Sequence, residues 1–94
     1  FLTYNSIIMN ILVGKLNPQT TEQQLEKHFN SFGFITAVDI IKESYSGDSL
    51  GYGYVLMPNP EEAEAAIRKL NGTSLDGHAI FVSKASQNSN RYRL

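Results

Sequence analysis

The sequence predicts an α+β domain in the order strand, helix, two strands, helix, strand, with the four strands in one antiparallel sheet and both helices on one face. Three observations carry this. The stretch Leu50 to Met57, LGYGYVLM, alternates as a strand, with Leu50, Tyr52, Tyr54 and Leu56 on one side and Gly51, Gly53, Val55 and Met57 on the other. Leu25, Phe29 and Phe32, and again Ala63, Ala66, Ile67 and Leu70, recur at helical spacing. Short apolar runs flank these segments and read as the remaining strands.

Taken in order, Ile7 to Val13 is β-branched or apolar and ends at Gly14, a strand with Ile11 and Val13 inward and Asn10 and Leu12 outward. After the Asn17-Pro18 turn, Thr20 or Thr21 with Gln23 or Gln24 three residues on has capping-box spacing, and Gly33 is placed to end the helix. Phe34 to Ile41 reads as the second strand, with Asp39 and Ile41 outward, and the polar run Lys42 to Ser49 as a loop. The tyrosines of the third strand then project from the open side. Its glycines supply no packing but admit a close neighbour, expected to be the helices.

Asn59 is placed to cap the second helix, with Pro60 at its first position, Glu61 and Glu62 in its first turn and Asn71-Gly72 at its end. Leu75-Asp76-Gly77 turns into a last strand, Ala79 to Ala85, with Ile80 and Val82 inward and Phe81 and Ser83 outward. Residues 9–85 thus form the domain. Residues 1–8 read as an arm, either native or added, because the chain starts at Phe1 and not at methionine, and 86–94 as a polar, unpatterned tail expected to be mobile.

The chain's 94 residues, 41% hydrophobic, suffice for one core and not two. Eight Lys and Arg against nine Asp and Glu leave a formal charge of -1, which argues against binding driven mainly by electrostatics. There is no cysteine, hence no disulfide or thiolate metal site. No apolar run approaches the roughly 18 residues of a membrane span, so a cytoplasmic protein without membrane association is the default expectation. His28 and His78 have no second ligand at metal spacing, and Glu61, Glu62 and Glu64 match the helix dipole, so no catalytic or metal site is expected. Gly51-Tyr52-Gly53 lies within a strand and not before a helix, which excludes a phosphate-cradling loop. The chain reads as a non-enzyme that needs no cofactor.

The open face is instead unusually apolar for a half-exposed sheet: Leu12, Ile41, Leu50, Tyr52, Tyr54, Leu56 and Phe81. On these residues the chain resembles the RNA recognition motif over roughly Met9 to Ala85. LGYGYVLM is similar to the family's RNP1 octamer, matching at Gly51, Tyr52, Gly53, Tyr54 and Val55, and ILVGKL, Ile11 to Leu16, resembles the RNP2 hexamer. LNG followed by LDG, between Leu70 and Gly77, is also similar. Leu12 stands where RNP2 usually has an aromatic, Leu50 where RNP1 begins with a base, and Met57 where RNP1 ends in an aromatic.

The resemblance implies the ferredoxin-like βαββαβ sandwich with spatial order fourth, first, third, second strand, and a likeness to small single-domain bacterial members. It also implies single-stranded RNA as partner, with single-stranded DNA as an alternative, bound by stacking on Tyr52, Tyr54 and Phe81. Phe81 is expected beside Leu12 as a replacement ring. Leu12 and Leu50 complete the surface, and Lys15, Lys42, Lys84, Arg91 and Arg93 are expected to meet phosphates, with Tyr92 adding a ring from the tail. The competing reading is a protein-interaction or weak homodimer surface using Leu12, Ile41, Leu50 and Leu56 on the same face.

Overall fold

The structure, a computed structural model, describes residues 9–85. The expectations placed on the arm and on Arg91, Tyr92 and Arg93 lie outside the described residues. The elements are β1 (Met9–Gly14), α1 (Glu22–Asn30), β2 (Ala37–Lys42), β3 (Ser49–Met57), α2 (Pro60–Leu70), β4 (Ser74–Leu75), β5 (His78–Ala79) and β6 (Phe81–Lys84). The main sheet has the order β2-β3-β1-β6 and every pairing in it is antiparallel, as expected. The last strand of the sheet is shorter than the sequence suggests. Its beginning belongs to a separate two-stranded ribbon, β4 with β5, turning through Asp76-Gly77.

Thr21, not Thr20, caps α1: its hydroxyl accepts from the Gln24 amide and the Gln24 side chain accepts from the Thr21 amide. The helix ends at a Ser31 cap, so Gly33 and Phe32 lie beyond it. Asn59 caps α2 by accepting from the amides of Glu61 and Glu62. Leu25 and Phe29 from α1 and Ala63, Ala66 and Leu70 from α2 are buried against Ile11, Val13, Ile40, Val55, Met57, Ile80 and Val82 of the sheet side. Phe32 and Ile67 pack at the margin of this core. The alanines keep α2 close to the sheet, since small side chains at a contact shorten the distance between elements.

The glycines of β3 serve a different neighbour from the one expected. A methyl group on Gly53 would strike the carbonyl oxygen of Asp39 and come within 2.9 Å of the Ile40 Cα, both backbone atoms of β2. Gly53 therefore admits the adjacent strand and not a helix. Gly51 has φ +87°, a conformation that a Cβ disfavours. Here the β2–β3 register breaks: Ile40 pairs with Gly53 and Lys42 with Ser49, so Leu50, Gly51 and Tyr52 stand against Ile41 alone. Such a bulge bends the strand and re-aims its side chains.

Candidate nucleic-acid interface

The bulge leaves the faces of β3 as the alternation requires. Gly53, Val55 and Met57 are buried, while Leu50 is 52% and Tyr52 36% exposed, and Tyr54 and Leu56 are half-buried. The Tyr52 and Tyr54 rings are 6.2 Å apart at 83°, edge to face, so each presents its flat surface in a different direction. Tyr54 lies at the centre of the sheet: its Cα partners are Leu12 on β1 and Asp39 on β2. Leu12 is in turn opposite Ser83 on β6.

Phe81, 44% exposed, is opposite Gly14 and not Leu12, and its Cβ and ring Cδ2 lie 3.7 Å from where a Gly14 side chain would begin. A methyl group on Gly14 would meet that ring at ordinary van der Waals distance. The exposed rings are consequently set diagonally across the sheet, with Phe81 opposite the end of β1, the tyrosines on β3, and Leu12 opposite Tyr54.

The lysines of the strands sit at the two edges of the sheet. Lys42 pairs with Glu22 at the start of α1, and Glu22 Oε2 also accepts from the Ile40 amide at 3.4 Å. That contact with Lys42 is the main cause holding the Glu22 carboxyl below its ordinary range. Lys84 is opposite Ile11, whose side chain is in the core, so it springs from the helix side of the sheet at its edge. Both lysines stand on the edge strands β2 and β6, at the rim where the cations are expected, and strand parity turns both toward the helix side. Lys15 is exposed and follows β1 where the Leu16 amide bonds to the Gly51 carbonyl, 2.9 Å, at the Tyr52 end of the face.

Among the described residues, Asp39 is then the one charged side chain that the four strands present on the open face. It is exposed, and its carboxylate has no hydrogen-bond or ion-pair partner there. Sequence reading placed Asp39 outward but assigned it nothing. It also passed over two exposed rings, Tyr45 (96%) in the β2–β3 loop and Phe34 (70%) before β2. A lone aromatic in an otherwise polar loop was the available signal for Tyr45. The loop is held by Glu43, whose Oε1 accepts from the amides of Tyr45 and Ser46 at 2.9 Å; these bonds lower the Glu43 pKa.

His28 lies away from this face and within 3.1 Å of Thr73 Oγ1. The Thr73 hydroxyl donates to the Leu70 carbonyl at 2.6 Å, so the imidazole Nε2–H is the donor to Thr73. Desolvation lowers the His28 pKa.

The whole is a four-stranded antiparallel sheet backed by two helices, with two tyrosines on its third strand and a phenylalanine on an edge strand. Residues 11–80 match the family model of the RNA recognition motif, and the chain belongs to that family. Among solved structures it is similar to RNA binding protein PG1, with 32% identity and a TM-score of 0.81 over 84% of this chain and 95% of that one. It is also similar to the first two RRM domains of the yeast poly(U) binding protein Pub1, with 25% identity and a TM-score of 0.81 over 86% of this chain and 49% of that one. For RNA recognition domains 1 and 2 of Sex-lethal from Drosophila melanogaster the values are 28% and 0.79, over 86% and 52%. The expected likeness to bacterial single-domain members finds no support in these matches, whose stated sources are yeast and fly.

Proposed function

We propose that this chain binds single-stranded RNA across its open sheet face, with bases stacked on Tyr52, Tyr54 and Phe81. The observation that carries the reading is an exposed aromatic and aliphatic surface, fixed on a rigid sheet, in a member of the RNA recognition motif family. Membership in that family and likeness to proteins named for RNA binding, one of them seen as a protein/RNA complex, support it. The edge-to-face tyrosines suit successive bases that splay apart and do not stack on one another, as bases of a single strand are free to do. Leu12 and Leu50 contribute apolar contact beside the rings, and Lys15 meets phosphate at one end.

Fluorescence anisotropy of labelled mixed-sequence RNA titrated with the protein tests the proposal: Tyr52→Ala and Tyr54→Ala each weaken binding, and unchanged affinity in both rejects stacking. The exposure of Leu50 favours a second reading, a protein or self-association surface. Light scattering over a dilution series, before and after adding RNA, separates the two. Dimers that persist in RNA would favour the second.

A further inference from the structure

The geometry points to Asp39 as a base-selecting residue that prefers guanine in the base lying over Tyr54, an inference that rests on the RNA-binding reading above. Asp39 and Tyr54 are Cα partners in the β2–β3 ladder, on the same face, before the register break. Directly opposed residues in an antiparallel pair hold their Cβ atoms about 4.5–5.5 Å apart. A base stacked on the Tyr54 ring therefore brings one of its edges within reach of the Asp39 carboxylate.

Three features determine which edge fits. The carboxylate is exposed and makes no bond among the described residues, so its oxygens are available as acceptors. No strand-borne cation shares the face, since Lys42 is paired with Glu22 and Lys84 springs from the far side. The local field hence repels phosphate, keeping the nucleic-acid backbone away and turning a base edge toward Asp39.

A carboxylate accepts and cannot donate. On its Watson–Crick edge guanine offers two adjacent donors, N1–H and one N2–H, which meet the two oxygens in parallel. Adenine and cytosine each offer one amino donor beside a ring-nitrogen acceptor, which repels the second oxygen. Uracil offers N3–H between two carbonyl oxygens. Guanine alone satisfies both oxygens without a repulsive contact, and charge-assisted bidentate pairs are the stronger and more directional kind.

The test uses short single-stranded RNAs of uniform uracil, unsubstituted or carrying one guanine, adenine or cytosine, titrated against the full chain and against Asp39→Asn. A uracil background lets the strand slide until the favoured base reaches the site. The wild-type chain is expected to bind the guanine oligonucleotide about 5-fold or more tighter than the others, the lower end of discrimination by a bidentate pair. Asp39→Asn, which places one donor and one acceptor on the same exposed position, is expected to bring all four within about twofold while leaving Tyr54-dependent affinity in place. Equal binding of the four RNAs by the wild type, or an undiminished guanine preference in Asp39→Asn, overturns the inference and leaves the RNA-binding reading standing. Failure to bind any of the four overturns both.

Discussion

Thr20 Oγ1 donates a 2.7 Å hydrogen bond to Asp76 Oδ2, tying the loop between β1 and α1 to the turn of the β4–β5 ribbon. Asp76 receives two more partners, Gln24 Nε2 at its other oxygen and Asn17 Nδ2 at its carbonyl. It also holds φ +53°, which aspartate tolerates better than most residues. Asp76→Ala removes two bonds to a carboxylate and places alanine in the left-handed region. The expected loss is about 1.5–3 kcal/mol, mainly from the charge-assisted bonds, measured as a fall in the urea midpoint with unchanged slope. Asp76→Asn, which keeps an acceptor and tolerates the same backbone, should cost clearly less.

Gly53→Ala is the most disruptive single methyl in the sheet. The added carbon meets strand backbone and not the yielding end of a side chain. Overpacking of this kind costs about 1–3 kcal/mol. Because the strand that must move carries Asp39 and faces Tyr54, RNA affinity should fall along with stability. An alanine variant as stable as the wild type would contradict the close β2–β3 approach.

Acid should weaken the fold in two separate windows. His28 has a folded-state pKa below its ordinary 6.5, so the unfolded chain takes up the proton first. Stability from this residue is complete above 6.5 and falls as the pH drops through that value toward the folded pKa. Glu22 is likewise depressed, from 4.5, and its contribution is present above 4.5 and lost below it as the carboxylate paired with Lys42 is protonated. Urea midpoints measured against pH should show His28→Gln flattening only the upper window, and Glu22→Gln only the lower.

Stacking and charge should separate in binding data. Alanine at Tyr52 or Tyr54 should cost about 1–3 kcal/mol of RNA affinity per ring, independent of salt. Lys15, as the exposed cation at the end of the described face, gives a log–log salt slope of about -0.7 for one phosphate, and each tail arginine that meets a phosphate adds about as much again. Deleting residues 90–94 should therefore weaken binding and flatten the slope. A full-chain slope steeper than about -4 would reject this count of charges.

Much of the fold was legible in the chain. LGYGYVLM declares its two faces because one carries rings and the other glycine, valine and methionine, and Asn59-Pro60 marks the start of α2 without help from tertiary structure. The β4–β5 ribbon was not legible, since two residues per strand are too few to alternate and Ser74, Leu75, His78 and Ala79 share no propensity. The break at Ile41 was equally hidden: a bulge changes partners across strands, and no local signal distinguishes the glycine that permits it, Gly51, from the one that admits β2, Gly53. For the site, the rings could be read from strand parity, whereas the neutralisation of Lys42 depends on α1 bringing Glu22 over the edge of β2. The same parity that placed Tyr52 and Tyr54 outward also turned Lys84 to the helix side, and a count of nearby lysines does not register this.

The Ala85 amide donates to the Asn10 carbonyl at 2.8 Å, so the chain enters and leaves the described domain at adjacent points of the β1–β6 ladder. Tension applied through these two points would pull the strands apart crosswise, loading the Ala85–Asn10 bond first and the pairs toward Gly14 and Phe81 in turn. A ladder opened one rung at a time resists far less force than one sheared along its length, where all rungs share the load. Mechanical extension should accordingly peel β6 from the sheet while β1, β3 and β2 remain joined, exposing Val82 and Ile80 before any helix is disturbed.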